Sequence, residues 1–106
     1  RFSKSNLYLR DLYECGYCGD PFAKHELTTD HVKPISKGGK TNWENCITAC
    51  KTCNWAKGSK TGPQWRPRYQ PYRPGYYELV RKRKQLPINL RHPSWHQWLD
   101  LENQQF

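Results

Sequence analysis

The sequence predicts a small α+β domain held together by a four-cysteine metal site, with a basic C-terminal arm rich in proline and aromatic residues. Three observations carry this. Residues 27–57 read in order as strand, loop, strand and helix. Four of the five cysteines fall in two C-x-x-C pairs, Cys15/Cys18 and Cys50/Cys53, which bracket most of that run. The available core is thin, with 106 residues of which 35% are apolar and a mean hydropathy of −1.10. Chains this small and polar usually need a metal or disulfide staple. One domain over residues 1–62 is expected, with residues 63–106 as an extension packed on it.

Residues 3–13, SKSNLYLRDLY, read as a short helix. Ser3 or Ser5 can cap it, with Leu9, Leu12 and Tyr13 facing inward; Leu7 and Tyr8 fit that periodicity less well. Cys15-Gly16-Tyr17-Cys18-Gly19 is a knuckle, whose glycines permit the positive φ that turns two thiolates towards one point. Residues 20–26 form a loop with a proline and a turn of helix. Residues 27–32 have β character from Thr28, Thr29 and Val32, and Pro34 ends the strand. Lys37-Gly38-Gly39-Lys40 is a turn, residues 42–45 are irregular, and residues 46–48 form the returning strand. A short helix then runs from Cys50 to about Lys57 and stops at Gly58.

After Ser59 the composition changes. Residues 61–93 hold six of the eight prolines, interleaved with Trp65, Arg66, Arg68, Tyr69, Tyr72 and Arg73. Proline at this density excludes a long helix and favours an extended arm. Residues 75–85 can form a helix ending in Arg81-Lys82-Arg83-Lys84, and Ser94-Trp95-His96-Gln97 has the S-x-x-Q form of a capping box before a terminal helix.

The net charge is +9, from 18 Lys+Arg against 9 Asp+Glu. That favours a polyanionic partner, nucleic acid first and an acidic membrane surface second. No apolar run approaches the ~18 residues of a membrane span, and no secretory leader pattern is visible. The odd cysteine count weakens a pure disulfide framework, so a reducing, intracellular compartment is expected. The chain opens on Arg1. Initiator Met is removed only before a small residue, so a missing N-terminal part of a longer chain is expected.

Zinc prefers four soft ligands in a tetrahedron, and a two-residue gap lets one knuckle supply two of them. The 31 residues between the cysteine pairs enclose Asp30-His31. Two disulfides or a redox C-x-x-C are the competing readings, disfavoured by the compartment and by the second pair. Cys46 is expected to pack as a small apolar thiol. Asp30 offers a hard oxygen suited to Mg²⁺ or Mn²⁺. His31, with an ordinary pKa of ~6.5, can deprotonate water at neutral pH. An isolated Asp-His pair is more simply a surface ion pair or a capped turn. Its place inside the cysteine bracket, ahead of Pro34, Gly38-Gly39, Asn45 and Asn54, favours a hydrolytic centre instead.

These residues resemble the HNH endonucleases, whose ββα-metal fold is a two-stranded hairpin followed by a helix. The matching features are Thr29-Asp30-His31-Val32-x-Pro34, Gly38-Gly39, Glu44-Asn45 and Ala49-Cys50-x-x-Cys53-Asn54-x-x-Lys57-Gly58. Leu7-Tyr8-Leu9-Arg10-Asp11 and Cys15-x-Tyr17-Cys18-Gly19 resemble the lead-in of zinc-containing bacterial and phage members. The resemblance implies His31 as general base, Asp30 and Asn54 as ligands of a catalytic Mg²⁺ or Mn²⁺, and Asn45 as the amide that ties down the loop between the strands. The last family position is Asn here, an H-N-N variant. Cys15, Cys18, Cys50 and Cys53 would hold a structural Zn²⁺. The implied reaction is hydrolysis of DNA, with RNA left open, to 5′-phosphate and 3′-hydroxyl ends in a bacterial cytoplasm or phage-infected cell. One such centre cuts one strand, so double-strand cleavage would need a dimer or a second nuclease.

Lys33, Lys37, Lys40 and Lys57 surround the centre in sequence, and Arg66, Arg68, Arg81, Lys82, Arg83 and Lys84 lie in the arm. All are expected at nucleic-acid phosphates, although each lysine taken singly is more simply a solvated side chain. The rival functional reading is a zinc-stapled module that binds nucleic acid, or a partner within a larger effector, without cutting.

Overall fold

The computed structural model describes residues 1–86. The terminal helix expected after Ser94 lies outside the described residues. Helix α1, Lys4–Arg10, is capped by Ser3, whose hydroxyl accepts from the Asn6 N–H at 3.1 Å. It is shorter than the expected 3–13 helix. Leu12 and Tyr13 adopt left-handed backbone at φ 55° and 57°, and the Tyr13 N–H closes on the Tyr8 carbonyl at 2.8 Å. These two residues turn the chain out of the helix towards the first knuckle. The buried side of α1 is also wider than its periodicity suggests. Leu7 packs with Trp43 and Cys46, while Tyr8 and Leu9 pack with Tyr13, Leu27 and Leu86. A helix covered on two sides has no need of a single apolar stripe.

Arg10 and Asp11 fasten this helix to the rest. Both are buried. The guanidinium uses all five of its donors, on Asp11 Oδ1 and Oδ2 at 2.7 and 3.1 Å and on the carbonyls of Trp43, Cys46 and Tyr72 at 2.9, 2.9 and 2.7 Å. Asp11 Oδ2 in turn accepts the Thr48 N–H at 3.0 Å. One ion pair thus joins the helix, the loop before the second strand, that strand and the arm.

Strand β1, Leu27–His31, pairs antiparallel with β2, Cys46–Cys50; Asp30 lies opposite Ile47 and His31 opposite Cys46. β2 runs two residues beyond the expected 46–48 and is buried at every position. Both of its faces are covered. Thr48 Oγ1 donates to the Leu7 carbonyl at 3.3 Å on the α1 side, while Ile47 packs against the knuckle on the other. Gly19 has the expected positive φ of 84°, but Gly16 is required for closeness: a Cβ there would lie 2.5 Å from Ile47 Cδ1. Helix α2, Lys51–Lys57, follows β2 directly. The Cys50 thiol caps it by accepting the Cys53 N–H at 3.4 Å, and Gly58 at φ 54° ends it.

Residues 61–75 run extended apart from one tight turn, Pro63–Trp65. The Arg68 N–H bonds the Gly16 carbonyl at 2.8 Å, which lays the arm along the knuckle. Helix α3, Tyr76–Gln85, then packs on α1 through Leu79. Among the described residues no helix is long and apolar enough to cross a membrane.

Candidate metal centres and catalytic cleft

Cys15 and Cys18 come from the knuckle after α1, and Cys50 and Cys53 from the junction of β2 with α2. Their four sulfurs lie within 4.8 Å of one another. The backbone N–H groups of Tyr17 and Cys18 both point at Cys15 Sγ, at 3.4 Å each. Burial alone would push the Cys15 thiol up, but backbone hydrogen bonds from Cys50, Cys18 and Tyr17 outweigh it and bring the group down to about 7. Cys53 goes the other way, raised by burial and by the neighbouring thiols. Sulfurs bunched this tightly cannot all ionise unless a cation sits among them. Soft donors, spacing and inward-pointing amides together fit a metal such as zinc. Cys46, buried among Leu7 and Trp43, is outside this group.

The second set of residues gathers at the end of β1. Asp30 is buried. Its Oδ2 accepts from the Tyr17 hydroxyl at 2.5 Å and faces the Lys57 ammonium at 3.3 Å. Burial and the hydrogen bond to Asp30 both raise the Tyr17 phenol, which keeps it a donor. Lys57 also donates to the His31 carbonyl at 3.2 Å. Lys57 was expected at a phosphate; only 1% of it is exposed, and it is turned inward onto Asp30. The motif alone does not reveal this, because a lysine near a turn looks solvated until the helix face is placed. Asn54 precedes Lys57 by three residues on α2, so it shares that helix face.

Asn45 holds the intervening loop. Its Oδ1 accepts the Lys33 N–H at 2.9 Å, and its Nδ2 donates to the carbonyls of Lys33 and Lys40 at 3.1 and 2.8 Å. The chain passes itself closely there. A Cβ on Gly39 would sit 1.7 Å from the Lys33 carbonyl oxygen. His31, half-buried, has Nε2 at 2.8 Å from Thr41 Oγ1. Neither Thr41 nor the hydroxyl of Tyr17 stood out in the sequence as a site group. Tyr17 carried a signal only as part of the Cys15-x-Tyr17-Cys18-Gly19 knuckle.

A groove of about 390 Å³ opens beside this cleft, lined by Val32, Lys33, Gly62, Trp65, Arg66 and Pro67. Lys33, Lys37, Lys40, Arg66 and Arg68 are all exposed. In α3, Arg81, Arg83 and Lys84 are exposed, but Lys82 is not free for a ligand. Its ammonium bonds the Arg10 carbonyl at 2.6 Å, the Tyr72 hydroxyl at 2.9 Å and Glu78 at 3.0 Å.

A two-stranded antiparallel hairpin, a helix leaving its second strand and a four-cysteine cluster define a ββα-metal domain. Residues 15–60 match the family model for HNH endonuclease. The chain is also similar to the CRISPR-associated endonuclease Cas9 of Corynebacterium diphtheriae, 36% identical over 53 residues. That stretch is 49% of this chain and 5% of the Cas9, so the likeness concerns one domain of a much longer protein.

Proposed function

We propose that this chain is a metal-dependent endonuclease that hydrolyses phosphodiester bonds in DNA. The observation that carries the reading is the end of β1. There a buried carboxylate and a histidine are adjacent in the strand, and Lys57 of α2 reaches both Asp30 Oδ2 and the His31 carbonyl. Asp30 and Asn54 supply a carboxylate and an amide oxygen, hard donors suited to Mg²⁺ or Mn²⁺. When bound there, such an ion supplies charge stabilisation at the scissile phosphate.

The chain's own groups do the rest. In the tautomer that does this work, His31 Nε2–H donates to Thr41 Oγ1 and the lone pair on Nδ1 takes the proton of the attacking water. Asn45 keeps residues 33 to 40 folded back so that His31 and Thr41 stay in reach of one another. Lys33 and Arg66, on the rim of the groove, position the backbone phosphates. Cys15, Cys18, Cys50 and Cys53 hold Zn²⁺ as a structural ion, in a reducing intracellular setting where the thiols stay available. The products are 5′-phosphate and 3′-hydroxyl ends, and one centre nicks one strand.

Supercoiled plasmid incubated with the protein and Mg²⁺ or Mn²⁺ tests this. Wild type should convert it to open circles, and His31→Ala should be slower by at least about 100-fold, the usual worth of a general base. Equal nicking by both, or none by either with any divalent ion, would leave the non-cleaving binding module as the better description.

A further inference from the structure

We propose that Tyr17 is a positioning residue that ties the four-cysteine site to the catalytic carboxylate. Its hydroxyl orients Asp30 while its backbone amide is part of the knuckle. The inference rests on the nuclease reading above.

Tyr17 has three attachments in different places. Its N–H points at Cys15 Sγ at 3.4 Å, so its backbone is fixed wherever that sulfur is fixed. Its ring meets the edge of Trp65 with centroids 6.0 Å apart and planes at 78°, which sets the direction of the side chain. Its hydroxyl then reaches Asp30 Oδ2 at 2.5 Å. A single residue thus links a sulfur of the four-cysteine site to the Asp30 carboxylate.

Asp30 depends on that contact. Oδ2 is held from two directions, by Tyr17 from the knuckle and by Lys57 from α2. Two donors on one oxygen fix the rotation of the carboxylate and leave Oδ1 to face a ligand. Without the hydroxyl, Oδ2 keeps the ion pair that holds it from the α2 side and loses the hydrogen bond that holds it from the knuckle. Groups that orient a metal ligand from behind commonly change metal affinity or activity by about 10–100-fold when removed. The second position inside the first C-x-x-C therefore does more than fill the knuckle. It makes the working site sensitive to whether the structural site is formed.

Tyr17→Phe isolates the hydroxyl, since the backbone amide and the ring against Trp65 are kept. The full chain, purified with zinc bound, would be compared with wild type in zinc content, melting temperature, Mn²⁺ affinity by calorimetry, and kcat and KM for plasmid. Mn²⁺ is a suitable probe because a hard ion competes poorly for four thiolates. The expected result is unchanged zinc and KM, Mn²⁺ affinity weaker by about 10-fold, and a lower kcat that excess Mn²⁺ partly restores. Wild-type Mn²⁺ affinity and kcat in Tyr17→Phe would overturn the inference. So would loss of zinc from the variant, which would make the hydroxyl a support of the knuckle itself. A wild-type chain that neither binds Mn²⁺ nor nicks DNA would sink the nuclease reading, and this inference with it.

Discussion

At the scale of single residues, the side chains that matter most are buried polar ones with several partners each. Arg10 is the clearest. Every donor of its guanidinium is used inside the protein, and its plane also lies 5.2 Å from the Tyr72 ring and 5.7 Å from that of Trp43. Replacing it removes a charge that Asp11 needs and leaves three carbonyls without their donor. Arg10→Met, which keeps most of the apolar stem, should cost about 3–5 kcal/mol, the usual cost of breaking a buried pair from one side. Adding Asp11→Asn removes the stranded charge while Oδ1 can still accept from Thr48, so the double variant should recover part of the loss. Urea denaturation of both variants measures this. A double variant no more stable than Arg10→Met would mean that the carbonyl contacts, not the ion pair, hold α1 in place. Nothing in the local sequence announces this network. Arg10-Asp11 looks like an exposed helix end until the partners, 33 to 62 residues away, are brought in.

At the scale of elements, short-range patterns in the sequence carry most of the information. The order strand, loop, strand, helix follows from β-branched runs, one proline and the glycine that closes α2 at φ 54°. The grouping of four cysteines follows from their spacing. What local pattern misjudged was extent. α1 ends at Arg10 because Leu12 and Tyr13 turn left-handed to feed the knuckle, and β2 continues to Cys50 because its last residue is also the helix cap. Those joins make the metal site an architectural one. It clamps the end of the α1 turn to the start of α2, beside a small apolar cluster of Ala49, Tyr17 and Phe22. About one zinc per chain is expected by elemental analysis. Stripping it with a chelator under reducing conditions should abolish the cooperative thermal transition, since structural zinc commonly supplies much of the folding free energy of such small domains. Cys50→Ser should behave like the stripped protein, whereas Cys46→Ala, outside the cluster, should keep its zinc. A metal-free preparation with an unchanged melt would show that the packed core suffices without the clamp.

At the scale of the whole molecule, the net charge of +9 favours a polyanionic partner. The sequence shows that excess plainly but does not sort it, because identical side chains are spent on different tasks. Lys57 and Lys82 are committed to internal partners, whereas Lys33, Arg66, Arg81 and Arg83 are exposed. Arg73 and Arg83 also line a groove of about 740 Å³ between the start of α1 and α3, together with Arg1 and Lys84. Three consecutive positions of α3 separate the two kinds of cation. Removing one cation from a phosphate should lower the slope of log K against log salt by roughly 0.9. Arg81→Gln with Arg83→Gln should therefore reduce the salt slope of duplex binding by about 2 and weaken binding uniformly across sequences, with the melting temperature unchanged. Lys82→Gln, between them, should do the opposite. It removes the ammonium that bonds the Arg10 carbonyl, Tyr72 and Glu78, so the protein should melt earlier while the salt slope stays nearly the same. Fluorescence anisotropy over a salt series, beside thermal melts of the same variants, reads both quantities. If Lys82→Gln lowered the slope as much as either arginine change, the ammonium would have to leave its internal partners on binding, and α3 would be repacking on DNA rather than presenting a preformed face.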